Sequence, residues 1–317
     1  MKPSVILNLM FLLAACSSPQ TTPPPAKPPT ATPARVVPTP RYDVPTQGPA
    51  TVTPEAQATR ESTSTPTVEA TQVTATAEDN AWMSLPVLPE PGTNIRAIYE
   101  KGIARGNDPH AFSIFGDCQS RPDEFFGMYE TDPELVASLS PELQETVRYF
   151  TGSFNRESPT SQDGTTPGAL LWDQWHRGEY GCSFGETPVS CELRIHNPSF
   201  VIIQIGSHFE SRNTEYLRRV INQLLENGVV PILATKADNR EKDNRINRDM
   251  ALLSAEYDLP LWNFWASLSD LPNRGLYTRK DRPLQGDIYL TDDAKVIHRE
   301  TGLEALDIVW RMATRDN

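Results

Sequence analysis

The chain has 317 residues and a formal net charge of −12, and its 38% hydrophobic content averages over two regions of very different composition. Residues 81–317 carry 24 Lys and Arg against 35 Asp and Glu, which is a net charge of −11. This acidic balance argues against nucleic acid or an anionic membrane face as the main partner.

The first sixteen residues have the layout of an export signal. Lys2 precedes a largely apolar run from Val5 to Leu13 that is too short to span a membrane as a mature helix, and Leu13-Ala-Ala-Cys16 ends the segment. It resembles a bacterial lipoprotein signal, in which the lipobox cysteine is lipidated after cleavage. The alternative is an ordinary signal peptide with a chance cysteine. We expect residues 1–16 to be a lipoprotein signal peptide, so that Cys16 anchors the exported protein to the outer face of the bacterial cell membrane.

Residues 17–81 are rich in Pro, Thr, Ser and Ala and show no apolar periodicity. A segment of this kind cannot bury enough surface to offset chain entropy, and its prolines keep it extended. The sequence therefore predicts a disordered stalk over residues 17–81, followed by one globular domain over residues 82–317.

Apolar runs and amphipathic segments alternate along the globular part. Short apolar runs predict strands at 111–115, 197–206, 229–235 and 259–264. Helical spacing of apolar residues predicts helices at 133–150, 214–227 and about 244–257, and a capping box at 301–304 predicts the start of a last helix that runs towards Met312. This alternation indicates an α/β fold with a parallel sheet covered by helices on both faces.

Two of the four cysteines predict a disulfide. Cys182 and Cys191 have eight residues between them, including Gly185 and Pro188, and export places them in an oxidising compartment. We expect them to close a surface loop. No further Cys or His pair stands at zinc-like spacing, so we predict neither a metal site nor a cofactor.

The stretch from Phe112 to Ser120 predicts a strand that ends abruptly at Gly116-Asp117-Cys118. It resembles the first block of the SGNH/GDSL hydrolases, Gly-Asp-Ser, with cysteine in place of serine. The resemblance extends over most of residues 110–313 and implies a single three-layer α/β/α, flavodoxin-like domain. It also implies that Cys118 is the nucleophile of an ester hydrolase. The alternative is that Cys118 is a small residue that fills the strand end.

Two further blocks of the resemblance concern the oxyanion hole. Gly164 is the best match to the glycine of the second block, although Asp163-Gly164 also fits an ordinary turn. The third block is Gly-x-Asn-Asp, and this chain has Gly206-Ser-His208-Phe209 after a predicted strand. His208 therefore takes the asparagine position, where it either donates to the oxyanion or serves as a base beside Cys118.

The last block, Asp-x-x-His, supplies the base and its carboxylate in the SGNH family. Here Gly286 stands at the aspartate position and Tyr289 at the histidine position. Tyrosine is a poor general base at neutral pH. His298 lies in the predicted loop before the last helix, where it is either an alternative base or a polar residue without a catalytic role.

The polar stretch 235–239 follows a predicted strand, so it is either part of a ligand site or an ordinary turn. Two functions remain open. One is a lipid-anchored hydrolase that acts through Cys118 on small esters or on O-acetyl groups of surface glycans. The other is a non-catalytic SGNH-like domain that binds a glycan or small ligand at the cell surface. The loss of serine, asparagine and the Asp-His pair together argues against ordinary esterase chemistry.

Overall fold

The computed structural model describes residues 78–90 and 94–315. The predicted signal peptide with Cys16 lies outside the described residues, and so does the predicted stalk up to residue 77. The 3₁₀ helix Glu78–Ser84 spans the predicted domain boundary. Within the described part of the chain, no helix has both the length and the apolar character that crossing a bilayer requires.

A four-stranded parallel sheet forms the centre of the domain. Its strands lie in the order β1-β2-β3-β4. They are β1 (Asp108–Gly116), β2 (Pro198–Gln204), β3 (Val230–Ala234) and β4 (Leu261–Trp262). Every residue of β2 is buried, as the near-continuous apolar run predicts for a central parallel strand.

Helices cover both faces of this sheet. The described helices are α1 (Ile95–Arg105), α2 (Met128–Thr131), α3 (Pro133–Ser138), α4 (Pro141–Tyr149), α5 (Pro188–Ile195), α6 (Asn213–Glu226), α7 (Arg245–Tyr257), α8 (Phe264–Ser267) and α9 (Asp292–Thr314). On one face Phe200 and Ile202 pack with α4 and α9, and on the other Val201 and Ile203 pack with α5, α6 and α7. The predicted three-layer α/β/α architecture is therefore confirmed.

The order in which the chain adds segments to the sheet changes sides at β1. After α4 it returns along the outer edge of β1, where Ser161 forms a single parallel bridge with Gly116. It then crosses through α5 to β2 on the other side of β1. In open α/β sheets such a switch point opens a crevice beyond the carboxyl ends of the strands. Here the switch point lies between the ends of β1 and β2.

The outer edge of β1 is covered mainly by side chains. Ser153 Oγ accepts from the amide of Phe112 at 3.2 Å, and Thr160 Oγ1 donates to the carbonyl of Ile114 at 2.9 Å. The carbonyl of Thr160 accepts from the amide of Gly116 at 2.9 Å. The segment therefore satisfies backbone groups of β1 without forming a full strand.

The single helix predicted over residues 133–150 is wrong, because the structure divides it into α3 and α4. Proline disfavours helical geometry in the residue before it, and Ser140 precedes Pro141 in an extended conformation. Ser140 Oγ also accepts from the amide of Leu143, which caps the second helix.

The predicted start of the last helix is also wrong. Helix α9 begins at Asp292, and Thr291 caps it by accepting from the amide of Ala294 at 3.3 Å. Thr301 lies inside the helix and donates to the carbonyl of Ile297 at 2.7 Å. The following Gly302 allows a close approach, because a Cβ there would lie 2.7 Å from the Phe125 ring.

The strand predicted at 259–264 is shorter in the structure, where only Leu261–Trp262 pairs with β3. Beyond it, the amide of Asn263 donates to the carbonyl of Val87 at 2.9 Å. Strands β5 (Leu276–Tyr277) and β6 (Tyr289–Leu290) form a separate antiparallel pair. The predicted disulfide between Cys182 and Cys191 is confirmed, with Cys191 on helix α5 and fully buried.

Candidate functional site

The candidate site lies on the rim formed by the carboxyl ends of β1, β2 and β3. Gly116 of β1 pairs in register with Gln204 of β2, and Ile203 of β2 pairs with Leu233 of β3. The three segments that follow these strands are therefore neighbours. They carry Asp117-Cys118, Gly206-Ser-His208 and Thr235-Lys-Ala-Asp238.

Asp117 connects two of these segments. Its carboxylate caps the 3₁₀ turn Cys118–Ser120 by accepting from the amide of Gln119 at 3.3 Å. The same carboxylate accepts from the amides of Ser207 at 3.1 Å and Gly206 at 3.4 Å. Burial raises the pKa of Asp117, and the nearby carboxylate of Asp238 raises it further. The aspartate therefore holds the turn after β1 against the turn after β2.

Cys118 is a free, partly buried thiol at the start of this turn. Burial is the main cause that raises its pKa to about 12, and the neighbouring charge of Asp117 adds to the effect. In the described residues no histidine nitrogen lies within hydrogen-bonding distance of its sulfur. An activated cysteine needs a nearby cation or base. Cys118 instead lies near the carboxylates of Asp117 and Asp163, which disfavour the thiolate.

Gly164 lies in the segment that runs along the outer edge of β1. Ser161 in this segment donates to the carbonyl of Ser120 at 2.8 Å, and the carboxylate of Asp163 contributes to the raised pKa of Cys118. Gly164 adopts a φ of +82°, in the left-handed region that favours glycine. The structure thus places the segment beside Cys118, and the oxyanion role of Gly164 stays a prediction.

His208 follows β2 on the same rim. Its imidazole is close enough to Asp117 to lower the pKa of that carboxyl group by its charge. The next residue, Phe209, lies under the guanidinium of Arg245, whose Cζ is 5.3 Å from the ring centroid. His208 is only partly buried and remains a predicted oxyanion donor or base.

Gly286 and Tyr289 take the carboxylate and base positions of the SGNH resemblance. Gly286 lies in the β5–β6 loop, and Tyr289 begins strand β6. The hydroxyl of Tyr289 donates to the side chain of Gln285. Gln119, which follows Cys118, donates through Nε2 to the carbonyl of Ile288. The loop is therefore docked against the turn that carries Cys118, but it brings no histidine to it.

His298 lies on helix α9 and not in a loop before the helix, so its predicted position is wrong. Its ring is fully buried; it stacks against Phe125 at a centroid distance of 4.0 Å and lies tilted against Phe264 at 4.5 Å. Nε2 contacts Gln204 Oε1 at 2.6 Å. Burial lowers the pKa of His298 well below its usual value, so the imidazole is neutral at physiological pH.

A buried cluster of charges behind the rim was not expected from the sequence. Lys236, at only 2% exposure, donates through Nζ to Asp238 at 2.7 Å and to Glu241 at 2.6 Å. Ser207 Oγ donates to the other oxygen of Asp238 at 2.5 Å. This cluster accounts for two of the polar residues in the stretch 235–239. Buried charges persist where partners compensate them, so the cluster fixes the shape of the rim.

Two clefts open near the rim. One, of about 490 Å³, lies between the segment after β3 and the β5–β6 loop, and Arg240, Arg274 and Asp287 are among its lining residues. The other, of about 310 Å³, is lined by residues that include Arg121, Asp163 and Trp175. Within the described part of the chain, no three His, Cys, Asp or Glu side chains are grouped so as to hold a metal ion.

The chain is similar in fold to a solved structure but matches no family model. No curated protein matches it either. Among solved structures, the chain is similar to a GDSL-like lipase from Bacteroides thetaiotaomicron, with 12% sequence identity and a TM-score of 0.40. The similarity covers 68% of this chain and 98% of the lipase chain. It assigns neither an activity nor a ligand to this protein.

Proposed function

We propose that the protein is a cell-surface lipoprotein whose SGNH-like domain binds a glycan or another small polar ligand without hydrolysing an ester. The observation that supports this function best is the environment of Cys118. Its pKa is raised to about 12, and the two histidines that the sequence offers as bases do not contact its sulfur in the described structure.

The alternative hydrolase needs a proton acceptor within hydrogen-bonding reach of the nucleophile. His298 is buried among aromatic rings, and its Nε2 is already hydrogen-bonded to Gln204. Tyr289 donates its hydroxyl proton to Gln285. A rearrangement that brought either residue to Cys118 would have to break these contacts. The binding function requires no such rearrangement.

The rim also offers room for a ligand. The larger cleft has a volume of about 490 Å³, within the range of about 300–1,000 Å³ that is usual for small-molecule sites. The smaller cleft adds a second polar surface with Trp175 and Tyr180 among its lining residues. A domain of this kind, anchored by Cys16 and carried on the Pro- and Thr-rich segment, would present both clefts outside the membrane.

Ester turnover tests the proposal directly. The full chain with Cys16→Ser would be assayed on short aryl esters and on O-acetylated oligosaccharides, beside Cys118→Ala in the same background. We expect the two proteins to give the same rate as a buffer blank. Turnover that exceeds the blank and disappears in Cys118→Ala would replace the binding function with the hydrolase.

Lipidation needs a separate experiment. Cells that express the wild-type chain or Cys16→Ser would be labelled with an alkyne fatty acid, and membranes would be separated from medium. We expect label and membrane retention in the wild type only. Equal label in both proteins would refute the role of Cys16, whatever the outcome of the ester assay.

A further inference from the structure

We propose that the larger cleft is a binding site for an anionic sugar, in which Arg240, Lys242 and Arg274 receive a carboxylate or phosphate group. This inference rests on the proposed binding function and specifies its ligand class. The cleft lies between the segment that follows β3 and the β5–β6 loop, and it is lined by three cationic side chains and one carboxylate, that of Asp287.

Arg274 is held in place before any ligand binds. Its guanidinium lies over the ring of Trp265, with Cζ 3.4 Å from the centroid, and it donates through Nη2 to the carbonyl of Trp265. Its Nε is buried and has no hydrogen-bond partner among the described residues. Burial also lowers the pKa of Arg274. An anion in the cleft would offset the cost of partly burying this charge.

The backbone around Arg274 supports the same interpretation. Asn273 and Arg274 have φ values of +46° and +52°, a conformation that residues other than glycine adopt at a cost. The two residues are followed by Gly275, at which a Cβ would lie 2.5 Å from the side chain of Ala294. The turn is thus packed against helix α9, which keeps Arg274 on the wall of the cleft.

The one carboxylate in the lining is already satisfied by neutral donors. Asp287 accepts from Asn273 Nδ2 at 3.0 Å and from Thr278 Oγ1. These hydrogen bonds lower the pKa of Asp287, so it is ionised at neutral pH. The charge of Lys242 contributes to the lowered pKa of Asp287 as well, but no ion pair within 4.0 Å joins Asp287 to a lining cation in the described residues, so the cleft keeps a positive balance.

Arg240 is positioned by the candidate site itself. Its amide donates to Asp238 at 3.0 Å, and its Nη1 donates to the carbonyl of Ser207 at 3.1 Å. Lys236 already compensates Asp238 and Glu241 behind the rim. The guanidinium of Arg240 lines the cleft as a positioned donor, and within the described part of the chain only Nη1 has a hydrogen-bond partner.

The lining of the cleft and the domain as a whole carry charges of opposite sign. Three cations and one carboxylate give the cleft a positive balance, whereas residues 81–317 carry a net charge of −11. A positive cleft on an acidic domain concentrates anions locally. The neutral lining combines apolar residues, such as Trp265 and Leu276, with polar side chains that suit sugar hydroxyls. The polar ones are Asn239, Asn244, Asn273, Thr278 and Gln285.

The test is a titration of the full chain carrying Cys16→Ser, followed by isothermal calorimetry or by NMR. The probes are D-glucuronate, D-glucose 6-phosphate, D-glucose and inorganic phosphate. We expect at least one anionic sugar to bind saturably and at least 10-fold more tightly than glucose. The choice between glucuronate and glucose 6-phosphate identifies the anionic group. Binding should weaken at high salt, since the cleft is open to solvent.

Three variants assign the binding to this cleft. Arg274→Gln and Lys242→Gln should each weaken binding of the anionic sugar at least 10-fold, and Lys242 is exposed, so its replacement leaves folding intact. Arg282→Gln removes the same charge from an exposed position outside the lining and should bind as the wild type does.

Several outcomes would overturn the inference. They are equal affinity for glucose and its anionic relatives, inorganic phosphate binding as tightly as the sugar phosphate, no saturable binding of either anionic sugar, or wild-type affinity in both cleft variants. These outcomes leave the non-catalytic proposal standing, because that proposal fails only through ester turnover that depends on Cys118.

Discussion

At the scale of a single residue, the position of Cys118 is that of a nucleophile, but its surroundings do not activate the thiol. It lies in the turn that follows β1, beside the switch point of the sheet, where an α/β enzyme would present a nucleophile. Reactive cysteines, however, sit in electropositive surroundings that stabilise the thiolate. Cys118 is next to the buried Asp117 and feels the charges of Asp163 and Asp238 as well. These charges oppose ionisation.

We expect alkylation of Cys118 by iodoacetamide to be slow at neutral pH. A pKa of about 12 in place of 9.0 reduces the thiolate fraction by about a thousand-fold. In a chain with Cys16→Ser, Cys118 is the remaining free thiol, and mass spectrometry would follow its modification from pH 6 to pH 10. The rate should still be rising at the upper end. A plateau below pH 8 would show an activated thiolate and contradict the structure.

Gly206 is a second residue on which the rim depends. Its φ of +145° disfavours other residues, and a Cβ there would lie 2.5 Å from Ile246 Cγ2. We expect Gly206→Ala to lower the free energy of unfolding by about 2–5 kcal/mol, since strain and overpacking add. The matched control is Gly152→Ala, because Gly152 has a φ of +98° but open space around a Cβ. Equal losses in urea denaturation would show that the contact with Ile246 is unimportant.

At the scale of secondary structure, helix α9 places the titratable side chain of His298 in the core. His298 is neutral in the folded protein, because burial lowers its pKa, and it regains a normal pKa near 6.5 when the chain unfolds. The unfolded chain therefore binds more protons below that pH. As a result, the fold is more stable above pH 6.5, and this stability is lost progressively as the pH falls.

We expect the titration of His298 to lower the free energy of unfolding by up to about 1.4 kcal/mol for each pH unit below 6.5. His298→Gln lacks the titration, so its curve should be flatter between pH 6.5 and pH 5, although the variant is less stable at pH 7 because it leaves space among the rings. Urea denaturation across this range measures both slopes. Parallel curves for the two proteins would show that His298 titrates normally in the fold.

The central strands could be predicted from the sequence because a buried parallel strand is apolar at almost every position. The starts of helices α4 and α9 could also have been found from local signals. Ser140-Pro141 is a cap followed by a proline, and Thr291 precedes Asp292 and Asp293 in the first turn. These signals were outweighed by apolar spacing across 133–150 and by the capping pattern at 301–304.

The rim could be predicted only in part. The turns after β1 and β2 follow from apolar strands that end at glycine, so Cys118 and His208 were expected on one edge of the sheet. The burial of Lys236 with Asp238 and Glu241 was not predictable, since charged residues are rarely buried and their pairing depends on tertiary contacts. The cation-lined cleft needs the β5–β6 loop to return to β3, which local sequence does not encode.

At the scale of the whole domain, residues 78–90 complete the fold at the β4 side. Trp82 is buried and its ring lies 4.9 Å from that of Trp265, while its carbonyl accepts from Asn263 Nδ2 at 3.0 Å. Removing the segment would uncover the Trp265 ring where it meets Trp82, and it would take away the carbonyl acceptors of Asn263 Nδ2. Its contribution is therefore comparable to that of a core side chain.

We expect a chain that starts at residue 94 to be less stable than one that starts at residue 78 by at least about 3 kcal/mol, the usual cost of losing one buried tryptophan. Thermal and urea denaturation of the two chains measure the difference. Trp82→Ala in the longer chain should reproduce much of the loss. Equal stability of the two chains would mean that the segment only rests on the surface.

The side-chain cover on the outer edge of β1 has a consequence for behaviour in solution. An open strand edge offers unpaired amides and carbonyls to any other extended chain, and it is a common starting point for aggregation. Here Ser153, Thr160 and the imidazole of His196 occupy backbone groups of Phe112 and Ile114. At the opposite edge, the carbonyl of Val87 accepts a hydrogen bond from the amide of Asn263. These contacts leave fewer unpaired backbone groups at both borders of the sheet for intermolecular pairing.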